Sequence, residues 1–284
     1  MRKPVIITSD STCDLTPELL ERFQIHVIPL TILLGEESFP DGAEFTAADL
    51  YRRFRHDGTL PKTSAPSVSQ YEEFFSELLA GGDEIVHLTI SSELSSSCQN
   101  AHVAAAELGG VYVVDSRMLS NGVGLLAIEA AECRDRGMAA EEIAARLREL
   151  TGRVDTSFVL NALDFMRKSG RCSGVAAIGA NLLHIKPALA MKDGKLQIYK
   201  KYRGHSMTEV YRQYIIERLE GKRPRRDHVF LIDSGEVDEA VLRELEQLVL
   251  SLTGAKELHR AVAGCTISSH CGPATVGLMF LDEA

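Results

Sequence analysis

Three clusters of hydroxyl side chains have the chemistry to hold an anion: Asp10-Ser11-Thr12, Thr63-Ser64-Ala65-Pro66-Ser67, and Ser91-Ser92-Glu93-Leu94-Ser95-Ser96-Ser97. Each follows an apolar, strand-like run or precedes a helical one. In an open α/β sheet this is where ligands sit, because helix N-termini there present free N–H groups and a positive dipole end. A helix start uses one hydroxyl as its cap. The third cluster offers five serines in seven residues, more than capping consumes, so a ligand carboxylate or phosphate fits it.

Among nine histidines, His270 is singled out by its place in Ala261 to Leu281, a run without Asp, Glu, Lys or Arg. A membrane span there would strand Ser268-Ser269-His270-Cys271-Gly272-Pro273 in the hydrocarbon. The run therefore reads as a buried strand, a polar turn and a second buried element. Arg167-Lys168 and Arg171 flank a glycine turn that opens the apolar stretch Val175 to Leu183, a placement that can face a cleft. Lys222-Arg223-Pro224-Arg225-Arg226 reads as a solvated loop.

Enzyme templates fit poorly. Gly122-Val123-Gly124-Leu125-Leu126-Ala127 matches GxGxxA by letters, but Ser116 to Asn121 intervene after the strand, where a dinucleotide site needs the first glycine in the turn itself. GxxxxGK[ST] is missing, Gly170-Arg171-Cys172-Ser173-Gly174 has the wrong spacing for a nucleophile elbow, and Ser92-Glu93-Leu94-Ser95 lacks the lysine of SxxK. An aspartyl phosphatase would need a second acid where Thr12 stands. The enzyme reading left open is a hydrolase or phosphatase acting on an acyl or phosphoryl ester through Asp10, Ser95 and His270.

The elements that must position these residues change character along the chain. Up to Leu150, strand-like runs (Val5 to Thr8, His26 to Leu34, Glu84 to Ile90, Val111 to Asp115) alternate with amphipathic segments, the grammar of a parallel sheet with helices on both faces. Thr16-Pro17-Glu18, Thr46, and Ser67 or Ser69 supply helix starts. After Thr151-Gly152 the pattern becomes antiparallel: Pro187 to Met191, Asp193-Gly194 and Leu196 to Tyr199 spell a hairpin with a type I′ turn. Further strands are expected at Thr156 to Leu163, His228 to Asp233, Leu258 to Ala263 and Val276 to Leu281, with helices at Met207 to Leu219 and Val237 to Leu252. The expected organisation is an α/β domain over residues 1–152 and an α+β domain over residues 153–284.

Composition agrees. At 284 residues with 45% hydrophobic and 25% charged residues, the chain can bury two cores or one large one. A net charge of −9 repels polyanions, so no nucleic-acid partner is expected. Six cysteines without CxxC pairs argue against zinc ribbons and disulfide frameworks and fit reduced cytosolic thiols. Met-Arg-Lys-Pro runs straight into a strand without the apolar region of a signal peptide, so a cytoplasmic location is expected.

Seven boxes in order resemble the DegV family of bacterial fatty-acid-binding proteins: Ile7-Thr8-Ser9-Asp10-Ser11-Thr12-Cys13-Asp14-Leu15, Val27-Ile28-Pro29-Leu30, Thr63-Ser64-Ala65-Pro66-Ser67, Ser91-Ser92-Glu93-Leu94-Ser95, Val114-Asp115-Ser116, Lys168-Ser169-Gly170-Arg171 and His270-Cys271-Gly272-Pro273. The resemblance implies a two-domain fold enclosing a long-chain fatty acid between its domains, binding rather than catalysis, and no cofactor. It further implies a partner, the kinase chain of bacterial fatty acid kinase, which phosphorylates the bound carboxylate for phospholipid synthesis; transient membrane contact is compatible with that role. By motif position Thr63 and Ser95, with Ser96 beside them, are carboxylate-binding hydroxyls. Asp10, Ser11, Arg171, His270 and Gly272 lie near the head group, and Arg203 matches an arginine implicated in kinase docking. The tunnel is expected from Ile28, Ile90, Leu94, Val159, Leu160, Ile178 and Leu182. Ser96-Ser97, Ala274 and Cys172 depart from the family pattern; Ala274 adds a methyl group beside a turn that glycine would leave free.

Overall fold

A computed structural model of the chain describes residues 3–42, 45–176, 185–204 and 206–283. The first half runs β1 (Val5–Asp10), α1 (Pro17–Phe23), β2 (Ile25–Ile28), β3 (Thr31–Leu34), β4 (Glu37–Pro40), α2 (Ala47–Asp57), β5 (Lys62–Ser64), α3 (Val68–Leu79), β6 (Glu84–Thr89), α4 (Ser97–Leu108), β7 (Val111–Asp115), α5 (Asn121–Asp135) and α6 (Ala140–Leu150). The second half runs β8 (Val154–Val159), α7 (Asp164–Ser169), α8 (Ser173–Ala176), β9 (Ile185–Lys192), β10 (Lys195–Arg203), α9 (Met207–Leu219), β11 (Pro224–Asp233), α10 (Glu239–Thr253), β12 (Leu258–Val262), α11 (Cys265–Cys271) and β13 (Val276–Asp282).

The helix starts follow local chemistry. Thr16 caps α1 with Pro17 at its first position, Thr46 closes a capping box with Asp49, and Ser67, rather than Ser69, does the same with Gln70. Strands β2-β1-β6-β7 form a parallel sheet in that order. One face packs on Tyr71 and Phe75 of α3 and on Cys98, Ala101 and Ala104 of α4; the other packs on α5 and α6. The fold is thus α/β, with helices on both faces of this sheet.

The expected strand His26 to Leu34 is two strands in two sheets. Pro29 cannot donate to a ladder, so pairing stops there; β3 then turns back on β4 and pairs with β5 in a small sheet ordered β4-β3-β5.

The second half builds a sheet ordered β10-β9-β8-β13-β11-β12, antiparallel except for the β11–β12 pair. Asp193 and Gly194 both take positive φ, as a type I′ turn requires. Its outer face packs on Val210, Tyr211 and Tyr214 of α9 and on Leu245 and Val249 of α10. Its inner face meets α5, which is buried on nearly every side because it lies between the two large sheets. The GxG letters belong to that packing: a Cβ at position 122 would stand 2.1 Å from Thr156 Oγ1, and one at position 124 would stand 2.8 Å from the Cys13 carbonyl oxygen.

Two other expectations change. Ser268 to Cys271 do not form a polar turn; they lie in α11, whose own backbone bonds satisfy main-chain groups that the uncharged run buries, while Ser269 Oγ stays buried without a partner among the described residues. Lys222 to Arg226 is a solvated loop only at Lys222 and Arg223; β11 begins at Pro224, and of the strand residues Arg226 is exposed while Arg225 is not. Arg225, the second residue of β11, places Nη1 2.6 Å from Oε2 of Glu129, a carboxylate on α5 whose side chain is 1% exposed, while Lys222 pairs with Asp155 and Asp282.

Candidate functional site

A cavity of about 240 Å³ lies where the two halves meet, lined by residues from both. From the first half come Leu30, Thr63 to Ala65, Ile90, Leu94 to Ser96, Leu119 and Ser120. From the second come Phe158, Met166, Arg171, Leu196, Ile232, Met279 and the inward side of α11, including Thr266, Ile267 and His270. Aliphatic and aromatic side chains make up about half of this lining; the hydroxyls and the imidazole come from β5, the start of α4 and α11, and also from Ser120, Ser234 and Thr275, with Asp233 at the end of β11.

Each polar group has a structural reason to be there. Thr63 sits on β5, paired opposite Ile32 of β3. Its Oγ1 lies 2.9 Å from His270 Nε2, a contact spanning most of the chain. His270 Nδ1 is buried with no hydrogen-bond partner among the described residues. Burial, and then the nearby charge of Arg171, push His270 down to about 4, so its imidazole is neutral at pH 7. Arg171 is exposed and donates to the Ser169 carbonyl.

The serine cluster divides its work. Ser91 Oγ donates to the Gly194 carbonyl at 2.7 Å, tying the start of this loop to the β9–β10 turn, and Ser92 Oγ donates to Asp115 at 2.6 Å. Ser95 Oγ accepts the Ser97 N–H at 3.2 Å and lies 3.0 Å from Ser97 Oγ. With Ser97 as donor in that pair, the Ser95 O–H is left to donate into the cavity. Ser96 lines the cavity and makes no side-chain cap.

The remaining residues singled out from the sequence lie elsewhere. Asp10 is fully buried beneath the cavity floor, accepting the Ile90 N–H at 2.9 Å and both donors of Thr12. It ties the ends of neighbouring strands, and burial raises its carboxyl to about 6. Ser11 donates to Asp41 and lines a separate groove with Asp14 and Gly264. Gly272 ends α11 at φ +74, where a Cβ would stand 2.8 Å from the Phe165 ring. Of the expected tunnel residues, Ile90 and Leu94 line the cavity. Ile28 packs under α3 and α4, Val159 under α9 and α10, and Leu160 in the core around α5. Ile178 and Leu182 lie outside the described residues. Arg203 ends β10, exposed and away from the lining. Cys172 is buried against the Leu196 carbonyl, and Ala274 adopts the left-handed φ of +54 while its carbonyl accepts the Tyr211 hydroxyl.

Two residues that the sequence did not single out hold α11 in place. Asp14 Oδ1 accepts the Gly264 N–H at 2.9 Å, and Asp41 Oδ1 accepts the Thr266 N–H at 3.2 Å. Two first-half carboxyl groups thus accept N–H groups at the start of the helix that carries His270. Burial raises Asp14 to about 8. Position 14 lies inside a resembling box; position 41 carries no signal in the sequence.

For the hydrolase reading, Asp10, Ser95 and His270 would have to act on one another. Among the described residues their hydrogen bonds go instead to Ile90 and Thr12, to Ser97, and to Thr63.

Compared with known families, residues 4–283 match the one described as "Uncharacterised protein, DegV family". The chain belongs to the DegV family. A DegV domain-containing protein of Deinococcus radiodurans is 32% identical over 282 residues, covering 96% of this chain and 97% of the relative. Among solved structures, a DegV family protein from Thermus thermophilus, described for its fatty acid binding, superposes with a TM-score of 0.88 at 31% identity, covering 99% of this chain and 100% of that one. A DegV lipid-binding protein from Thermotoga maritima gives a TM-score of 0.85 at 29% identity, covering 100% of this chain and 99% of that one. A stearic acid-binding protein from Eubacterium ventriosum gives 0.83 at 26% identity, covering 100% and 99%. Among the described residues of this DegV chain, no helix is long and apolar enough to cross a membrane.

Proposed function

We propose that the chain binds a long-chain fatty acid between two units, 1–152 and 153–284, with the acyl chain in the cavity and the carboxylate at Thr63, Ser95 and Ser96. The observation that carries this reading is the cavity itself: aliphatic and aromatic side chains from both halves line it together with Thr63, Ser95 and His270, and Thr63 Oγ1 lies 2.9 Å from His270 Nε2. Its likeness to fatty-acid-binding structures supports it.

Chain burial contributes roughly 0.8 kcal/mol per CH₂, so the acyl chain dominates affinity and the head group sets direction. In the bound state His270 donates Nε2–H to Thr63 Oγ1, which turns the Thr63 O–H toward the carboxylate; the Ser95 O–H supplies a second donor. Neutral donors hold the acid without a full salt bridge, so its oxygens keep their nucleophilicity toward a phosphoryl donor. On this reading the chain is a lipid-binding subunit. A separate kinase phosphorylates the presented carboxylate to an acyl phosphate, Arg171 offsets charge at the mouth, and the exposed Arg203 meets the kinase.

Organic extraction and native mass spectrometry test the proposal. One equivalent of a C16–C18 acid per chain, or uptake of added palmitate after delipidation, is the expected result. Neither ligand nor uptake would overturn it.

A further inference from the structure

Away from the cavity, the described residues hold one group of three metal-type side chains whose ligand atoms converge: His228, Glu257 and His259. The pairing of β11 with β12 in the register Val229↔Leu258 and Phe230↔His259 brings the two imidazoles side by side. His228 Nδ1 lies 2.9 Å from His259 Nε2. Glu257 Oε2 lies 3.9 Å from the first nitrogen and 3.7 Å from the second. A triangle with these sides has a circumradius of about 2.1 Å, so an ion near the plane of the three atoms reaches all of them at the length of a bond from zinc to nitrogen or carboxylate oxygen. A tetrahedral set needs the two nitrogens to part by about 0.4 Å from their hydrogen-bonded separation.

The surroundings are those of a ligand set. His228 Nε2 faces Glu132 Oε1 of α5 at 3.3 Å; donating its proton there leaves the Nδ1 lone pair pointing at the cluster, the imidazole–carboxylate arrangement that orients metal-binding histidines. His228 is buried, and its ring stacks on His259 and meets Phe23 edge-on. Arg22 of α1 grips Glu257 through both oxygens, at 2.7 and 2.9 Å. It can keep Oε1 when Oε2 turns to an ion.

We propose that His228 Nδ1, His259 Nε2 and Glu257 Oε2 bind one divalent transition-metal ion of the zinc class, with water completing a tetrahedral set. Binding needs no net reaction beyond a proton shift: His259 moves its N–H from Nε2 to Nδ1, and both imidazoles stay neutral. Because Arg22 and Glu132 come from the first half while the ligands come from the second, the ion would fasten the edge of the large sheet to α1 and α5. The proposal is independent of the fatty-acid reading.

The test uses the full chain, stripped with a chelator and then titrated with Zn²⁺ against a chromophoric competitor and with Co²⁺ followed by visible absorption. One equivalent of Zn²⁺ per chain and a tetrahedral Co²⁺ band are expected. Glu257→Gln and His259→Gln should each weaken Zn²⁺ at least about tenfold, and Glu132→Gln should weaken it by about tenfold through the orientation of His228. Palmitate uptake and far-ultraviolet circular dichroism should stay unchanged. If His259→Gln does not fold, Glu257→Gln at the surface carries the test. Absence of Zn²⁺ binding at micromolar concentration, or wild-type affinity in folded Glu257→Gln, would overturn the proposal.

Discussion

Thr63→Val removes one hydroxyl while keeping a β-branched side chain of nearly the same volume, so β5 retains its place against β3. What disappears is the 2.9 Å contact with His270 Nε2 and the donor proposed to face the carboxylate. A hydrogen bond to a charged group is worth about 1.5–3 kcal/mol, and each 1.4 kcal/mol is about tenfold in affinity, so palmitate should bind roughly ten- to a hundredfold more weakly. No ion pair masks that loss, because burial and the charge of Arg171 hold His270 down at about 4 and keep it neutral. Hexadecanol carries the same chain without the charge. Bonds to neutral groups are roughly half as strong, so on a free-energy scale it should lose about half as much. Isothermal titration of delipidated protein with both ligands measures the two losses. Palmitate affinity at the wild-type level, or equal losses for acid and alcohol with an unchanged circular dichroism spectrum, would refute the head-group argument.

Three further outcomes follow from single residues. Because the folded chain holds His270 at about 4 against an ordinary value of 6.5, the unfolded chain takes up that proton first as pH falls; the stability due to neutral His270 is full above 6.5 and lost toward 4. Urea midpoints of the wild type should therefore fall relative to those of His270→Gln across that window, and a constant difference would show that the imidazole is not held neutral. Gly122→Ala forces a methyl group to within 2.1 Å of Thr156 Oγ1 and should cost about 1–3 kcal/mol in thermal melts, with Thr156→Ala restoring part of it; an unshifted melting temperature would contradict the packing of α5. Ala274→Gly relieves a left-handed φ of +54. Against the added freedom of glycine in the unfolded chain, the net gain should be up to about 1 kcal/mol by urea denaturation, and a loss would mean that the methyl group packs usefully.

Much of the fold was legible because its signals are local. Thr16-Pro17-Glu18 and Thr46 start helices by satisfying free N–H groups within a few residues, and Asp193-Gly194 sets a hairpin through two positive φ angles. The small sheet was not legible. β4 and β5 are short and half exposed, and β5 gains its strand character only from pairing with β3 across about thirty residues of chain. Residues 268–271 read as a turn because serines disfavour helix interiors on propensity alone, yet Asp14 and Asp41 supply from far away the acceptors that start α11. Arg225 shows the same limit with the opposite sign, since a basic run looks solvated until a buried Glu129 meets it.

For the candidate site, residue types alone marked Thr63, Ser95 and His270, because hydroxyls in excess of capping need, and a histidine inside an uncharged run, are chemical anomalies visible in one dimension. Asp10 shared that visibility, and the fold spends it on the Ile90 amide instead. The sequence by itself determined which halves form, how their helices begin and which polar groups are surplus to those tasks. Only the tertiary structure decided which surplus groups share a cavity, which serve as ties beneath it, and that His228, Glu257 and His259 converge at another seam. The physical reason is range: capping and turn preferences act over a few residues, whereas the Thr63–His270 contact joins residues 207 positions apart and the β11–β12 register pairs strands separated by the whole of α10.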